Sequence, residues 1–392
     1  MKNEELKNLF EDAWYNGIKF HQVTGRYLTN SDLDLVRSKF QNIFEIEEAG
    51  KSVEERPIYK FQLGTGKIKI LAWSQMHGNE STTTKAIFDL LNALVLRTDD
   101  KIILSILENC SLFIIPILNP DGAEAYTRVN ANSIDLNRDL QDLSQPESQV
   151  LMKLYNEIKP DYCLNLHDQR TIFSAGNFKN PATLSFLTPS KDEERSIDEY
   201  RGQSMSLIAG MAQDLSSELE NNIGRYDDAF NINCAGDTFQ NLSTPTILFE
   251  AGHYPNDYER EETRKFVFKA LLSCLYQIAA DRNNEANYEA YFKIPENQKL
   301  FKDVIIRKAL INGNLLDIAI QFKESLKNGK IEFIPIVDKI EPEISNFGLR
   351  EIEAQENEIE LPDRTEITEN VIVNKIILKN EELQVKYGYL SN

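Results

Sequence analysis

The chain has 392 residues, 41% hydrophobic and 27% charged, long enough to bury a sizeable core in one large domain with a smaller companion. A formal net charge of −19 argues against nucleic acid or an anionic membrane as partner, because both need a basic surface. No run of about eighteen apolar residues occurs, so no transmembrane helix is expected.

In chain order, the opening M-K-N-E-E-L-K-N-L-F-E-D lacks the apolar stretch of a signal peptide. Residues 1–15 predict a helix, with Leu6, Leu9, Phe10 and Trp14 at helical spacing. A second helix is expected over 32–44, entered through the N-capping run Thr29-Asn30-Ser31. Two strand-like runs follow, 57–63 and 67–73, joined through G-T-G. Beyond M-H-G-N-E-S at 76–81 come a helix over 82–96 and a strand over 112–118, which ends in the turn N-P-D-G. Then come a helix at 146–158, a strand at 161–166, a long helix at 198–220, a short strand at 246–249 and a helix at 259–280. Nearly continuous apolar strands alternating with helices predict an α/β fold: a mixed, largely parallel sheet with helices on both faces.

Near residue 285 the texture changes. The expected organisation is a catalytic domain over 1–285, with an N-terminal helical segment at 1–26, and a small α+β, mainly-β domain over 286–392. Strands are expected at 330–337, 371–378 and 384–389, and one helix around 314–327. The acidic stretch 351–369 reads as a solvated loop.

The four cysteines, Cys110, Cys163, Cys234 and Cys274, form no C-x-x-C pair and read as buried free thiols of a reducing compartment, so a cytoplasmic location is expected. Histidines are scarce: His21, His77, His167 and His253. His77 and Glu80 stand three apart after an apolar strand and before a helix, offering an imidazole nitrogen and a carboxylate to a common point. A catalytic zinc site takes three protein ligands and leaves a position for water, so this pair is two-thirds of one. Ligands of parallel α/β sheets bind beyond the carboxyl ends of strands. His167 and Glu250 also stand at such ends, after C-L-N-L and T-I-L-F.

At this point the chain resembles the zinc carboxypeptidases of the M14 type. The resemblance rests on H-G-N-E at 77–80, N-P-D-G at 119–122, D-L-N-R at 135–138, L-H at 166–167 and L-F-E at 248–250, and it runs in the family's order from about Tyr27 to Ala280. G-K-S-V-E-E-R-P-I at 50–58 is similar to an upstream family motif, with Glu55 where glycine is usual. The resemblance implies one zinc ion per chain held by His77, Glu80 and His167, with Glu250 as the base that takes a proton from water and returns it to the leaving amine. It further implies Arg128 over the scissile carbonyl, and Asn137 and Arg138 as clamp for a terminal carboxylate. Asp135 would fix the tautomer of His77. Tyr226 is the candidate for the family's mobile tyrosine, and Asp237 for a pocket aspartate beside Gly236, where specificity is normally set. The implied substrate is a peptide or peptide-like molecule with a free C-terminal carboxylate. Two other readings remain: an N-acyl amino acid deacylase of the aspartoacylase or succinylglutamate desuccinylase type, which also carries H-G-N-E and an N-R clamp, and a silent binding paralogue.

Overall fold

The computed structural model describes residues 2–280 and 288–386. The N-terminal segment is two helices, α1 (Lys2–Leu9) and α2 (Asp12–Ile18), rather than the one expected, because Glu11 between them turns extended at ψ 138°. Helix α3 (Asn30–Phe40) begins in a capping box: Thr29 accepts at its side chain while Asp32 reaches back to the Thr29 backbone. Strand β1 (Glu45–Lys51) was not expected, and its mostly exposed face explains why: no apolar alternation marks it.

Strands β2 (Pro57–Leu63) and β3 (Ile68–Ser74), helices α4 (Thr82–Leu96) and α5 (Lys101–Asn109), and strand β4 (Cys110–Ile115) follow. N-P-D-G is not a simple turn. It opens the short helix α6 (Pro120–Ala125), with the Asn119 side chain accepting from the Gly122 N–H at 2.8 Å and Pro at the first helical position. Then come α7 (Pro146–Ile158), β5 (Tyr162–Asp168), β6 (Ser174–Ala175), β7 (Leu184–Leu187), α8 (Glu199–Leu219), β8 (Ile223–Arg225), α9 (Ala235–Asn241), β9 (Thr246–Ala251) and α10 (Glu261–Ala279).

The large sheet has the order β1-β2-β4-β3-β5-β9-β7-β8, and its centre, β4-β3-β5-β9, is parallel. Successive residues of a strand face opposite sides, and β3 shows the consequence. Ile70 and Ala72 join Ile87 and Leu91 of α4 and Leu271 of α10 in one core. Leu71 and Trp73 join Leu151 and Leu154 of α7 and Phe239 of α9 in another. Helices therefore cover both faces, as expected.

The C-terminal region is mainly β. Strand β10 (Asn297–Gln298) pairs with β6 of the large unit. One sheet has the order β13-β12-β11-β14, from β11 (Phe301–Ile311), β12 (Asn314–Lys327), β13 (Lys330–Glu341) and β14 (Phe347–Glu353). A second holds β15 (Ile359–Glu360), β16 (Lys375–Leu378) and β17 (Glu381–Gln384). Val304, Ile306, Ile318, Ile320, Val337 and Ile376 close a shared core between them.

The helix expected over 314–327 is wrong; that stretch is β12, paired on both sides. Its Leu, Lys and Glu content suits a helix, but Asn312-Gly313 and Asn328-Gly329, all at positive φ, form hairpin turns at its two ends. The expected boundary at 285/286 and the end of the expected 384–389 strand lie outside the described residues. Tyr291 and Ile294 still pack in the core of the large unit. The acidic stretch 351–369 is not one solvated loop: it holds the end of β14 and all of β15, and Ile359, Leu361 and Ile367 in it are buried.

Candidate metal centre

The pleat and register of three parallel strands aim the candidate residues at one place. His167 of β5 is level with Glu250 of β9. Leu164, Leu166, Ile247 and Phe249 belong to the α4 side of the sheet, so their neighbours His167 and Glu250 both face the other side. His77 and Glu80 come from the loop after β3. In it Gln75 takes a positive φ of 45° and its amide donates to Leu28 O at 3.0 Å and Gly78 O at 2.9 Å. Gly78 cannot carry a side chain: a Cβ there would stand 1.9 Å from the Gly122 carbonyl carbon. The motifs H-G-N-E and N-P-D-G are thus two loops in backbone contact. Asp121 extends this packing, accepting from Ser52 Oγ at 2.7 Å and Glu54 N at 3.0 Å, which ties the upstream motif to both. Glu55, where the family usually has glycine, sits at φ 61°, a left-handed conformation that glycine takes without strain.

His77 Nδ1 and His167 Nδ1 lie 3.1 Å apart; each is 2.9 Å from a Glu80 oxygen, Oε1 and Oε2 respectively. All three residues are buried, and they form a cluster able to hold a metal ion. Two nitrogens bound to a tetrahedral zinc at 2.0–2.1 Å would stand about 3.3 Å apart, so the donor set fits that ion. The other side of His77 supports the same assignment. Its Nε2 lies 3.0 Å from Asp135 Oδ1, which places the proton there and leaves Nδ1 with a free lone pair. Asp135 also accepts from Asn137 N at 2.9 Å and Arg128 Nε at 3.0 Å. Burial opposes ionisation of Glu80, but His77 and His167 outweigh it and hold the carboxyl well below its usual range.

Glu250 behaves in the opposite way. Burial, then the charges of Glu80 and Asp168, pushes its carboxyl well above the usual range, and Oε2 has no hydrogen-bond partner among the described residues. A buried carboxyl with an unengaged oxygen beside a metal cluster is suited to take up and release a proton.

One cavity of about 640 Å³ is lined by His77, Glu80, Arg128, His167 and Glu250, and also by Asn137, Arg138, Tyr226 and Asp237. Nine of the ten candidate residues therefore meet, and the tenth, Asp135, stands behind His77. Arg138 is exposed and has no ion pair among the described residues; its Nη1 donates to Asn137 O at 2.6 Å and approaches Cys234 Sγ at 3.1 Å. Asn137 Oδ1 accepts from Ala235 N at 2.8 Å, which fixes it against the start of α9. Tyr226 leans on Phe173 with ring centroids 5.3 Å apart. Asp237 is buried, and burial pushes its carboxyl up to about 7. Gly236 faces Pro189, whose Cγ would lie 2.7 Å from an added Cβ. His253 is not part of the cavity. It stacks edge-on against Tyr258 at 4.8 Å, and burial followed by Arg260 and Arg26 pushes it down to about 3, so it stays neutral. His21 lies near Asn16 O, at 3.1 Å, on the N-terminal segment.

Asp168 escaped the sequence reading. Its carboxylate accepts from Thr82 N at 3.0 Å and Thr83 N at 3.4 Å, capping α4 directly behind Glu80, while its own N–H donates to Glu80 Oε2 at 3.1 Å. Arg260 stands 3.6 Å away as counter-ion. The only signal in the sequence was an acidic residue directly after His167.

A model of the zinc carboxypeptidase family matches residues 29–233, just over half of the chain. The chain belongs to that family. The match includes the residues of the metal cluster, Arg128, Asp135, Asn137, Arg138 and Tyr226, and stops before Asp237 and Glu250. Carboxypeptidase SOL1 of Arabidopsis thaliana is 30% identical over 167 residues, 37% of this chain and 34% of that protein. Carboxypeptidase E of Caenorhabditis elegans is 30% identical over 146 residues, 30% of each chain. The matched stretch thus spans about a third of the length of these relatives. Among solved structures, a carboxypeptidase A homologue of Shewanella denitrificans superposes with a TM-score of 0.54 at 19% identity, covering 64% of this chain and 69% of that one. A metallocarboxypeptidase of Pseudomonas aeruginosa, in complex with (2-guanidinoethylmercapto)succinic acid, gives 0.52 at 17% identity, covering 65% and 70%. At such identities the likeness establishes the fold. No helix among the described residues is long and apolar enough to cross a membrane.

Proposed function

We propose that this chain is a zinc-dependent metallocarboxypeptidase that hydrolyses the C-terminal amide bond of a peptide or peptide-like substrate. The observation that carries the reading is the single cavity in which a metal-binding cluster, a proton-holding carboxyl and an unpaired arginine meet. Zinc held by His77, Glu80 and His167 supplies Lewis-acid activation of water and of the scissile carbonyl. Glu250 is the general base: its unengaged Oε2 accepts the proton of the attacking water and delivers it to the leaving amine. Arg128 is held by Asp135 through Nε and by Glu80 through Nη1 at 3.4 Å, an arrangement suited to stabilising charge that develops on the carbonyl oxygen. Arg138 and Asn137 receive the terminal carboxylate, Arg138 through a bidentate fork that lysine could not reproduce. A clamp for a free chain end favours an exopeptidase. Tyr226 closes the cavity over the substrate, and Asp237 faces the terminal side chain. Four unpaired cysteines support a reducing compartment such as the cytoplasm.

Metal content and amino-acid release test the reading together. The purified chain is expected to hold about one zinc, and to release C-terminal residues from a peptide library but nothing from acyl-aspartate or acyl-glutamate. Glu250→Gln should keep the zinc and lose hydrolysis by at least a hundredfold, the usual scale for a general base. Wild-type turnover by that variant removes the proposed base, and release from acyl amino acids alone favours the deacylase.

A further inference from the structure

The metal cavity does not end at the metal cluster. A second cavity of about 510 Å³ opens beside it and shares Glu80, Arg128, Asp168, Gln169 and Arg170 with the first. None of Asn137, Arg138, Tyr226 or Asp237 lines this second cavity, so it leaves the cluster on the side away from the carboxylate clamp. Its far wall comes from the C-terminal β region, through Gln321, Phe322, Lys323 and Glu324 of β12 and Phe333 and Asp338 of β13.

That wall is fixed to the large unit. Glu324 of β12 accepts from Arg26 Nη2 at 2.9 Å and from Tyr126 Oη at 2.5 Å. The Tyr258 hydroxyl donates to Asp303 Oδ1 at 2.8 Å, and its ring lies 5.4 Å from both Phe322 and Phe333. The cleft is therefore a built feature of the docked β region. Its charge is patterned as well. Arg26 and Arg260, deep in the cleft, are matched by Glu324 and Asp168. Arg170 and Lys323 are exposed on opposite walls, and neither has an ion-pair partner among the described residues.

We infer that this cleft binds the part of the substrate upstream of the scissile bond, and that Arg170 and Lys323 select chains carrying acidic residues there. The inference rests on the carboxypeptidase reading and deepens it. With the terminal residue on the Arg138 and Asp237 side and the scissile bond at the cluster, the preceding residues leave along the shared wall into the cleft. There β12 presents its Lys323 against Arg170 of the large unit. Selection by the β region gives that region a direct part in recognition.

The test uses the zinc-loaded full chain and tetrapeptides with the same last two residues, preceded by two Glu, two Ala or two Lys. Two unit charges about 4 Å apart in water interact by ~1 kcal/mol, about fivefold in rate or affinity. The kcat/KM for the Glu peptide is therefore expected to exceed that for the Lys peptide by at least about tenfold, chiefly through KM. Lys323→Glu, a charge reversal on an exposed strand position, should shrink that ratio by at least about fivefold. Equal rates for the three peptides, or a ratio that Lys323→Glu leaves in place, overturn the inference while the carboxypeptidase reading stands. Absence of amino-acid release from all three overturns the reading itself, and the inference with it.

Discussion

Replacing Asp135 with asparagine tests the metal centre through a residue that does not touch the metal. Three donors converge on this carboxylate: Oδ1 faces His77 Nε2 at 3.0 Å and accepts from Asn137 N at 2.9 Å, and Oδ2 accepts from Arg128 Nε at 3.0 Å. An asparagine of the same shape has one acceptor oxygen and one NH2. The better orientation keeps the oxygen on His77 and Asn137 and turns the NH2 toward Arg128, donor against donor. His77 then keeps its tautomer but loses the anionic partner that makes it a stronger ligand. Loss of such a partner typically lowers metal affinity by about 10–100-fold. Arg128, the proposed oxyanion donor, loses its anchor, and loss of such a donor costs on the order of 100-fold or more in kcat. The assay is zinc competition against a chromogenic chelator, paired with kcat for release of a C-terminal residue at saturating zinc. Asp135→Asn should lower both, so that added zinc restores occupancy but not turnover. Zinc affinity within twofold of wild type together with unchanged kcat would refute the reasoning.

Other expectations follow from individual groups. Burial lifts Asp237 to about 7, so it is mainly neutral at pH 6 and ionised at pH 8. The preference for lysine over leucine as C-terminal residue, measured as a ratio of kcat/KM, should therefore rise several-fold over that interval, and Asp237→Asn should flatten it. Arg264 and Asp89 form a fully buried pair at 2.6 and 2.7 Å, and Arg264 also donates to Phe20 O and Val23 O. Arg264→Met leaves the carboxylate buried without its counter-ion, which should cost about 3–5 kcal/mol in denaturant unfolding and open residues near Phe20 to proteolysis.

The parts of the fold that were legible in the sequence carry strong local signals. The central strands and the helices around them are apolar over their whole length or periodic, and the five motifs stand in order. Glu250 was legible for the same reason, as a carboxylate closing the apolar run T-I-L-F. What stayed hidden is set by partners distant in the chain. Strand β1 is polar and exposed, and it exists because β2 pairs with it. β12 carries a helical composition overridden by its two neighbours and its Asn-Gly turns. Asp168 caps a helix that begins more than eighty residues earlier, and no spacing rule within one segment can reveal such a cap.

The same distance-bridging contacts define how much of the chain builds the metal cavity. The family match ends at residue 233, yet Glu250 and the counter-ion Arg260 lie beyond it. Farther on, Glu324 reaches back to Tyr126, two residues before Arg128. Tyr126 sits at a positive φ of 54°, ending α6, and the loop it starts continues with Thr127, whose carbonyl accepts from Asn79 N at 3.2 Å. The β region thus holds one end of a short loop that also contacts Asp135 and the turn carrying His77 and Glu80. Arg26 is buried, and the half-buried Glu324 accepts from it and from Tyr126; a buried charge is costly to leave unpaired, so undocking the β region would leave Arg26 without its counter-ion and release that loop. The geometry around Arg128 and the docking of the β region are therefore parts of one folded arrangement.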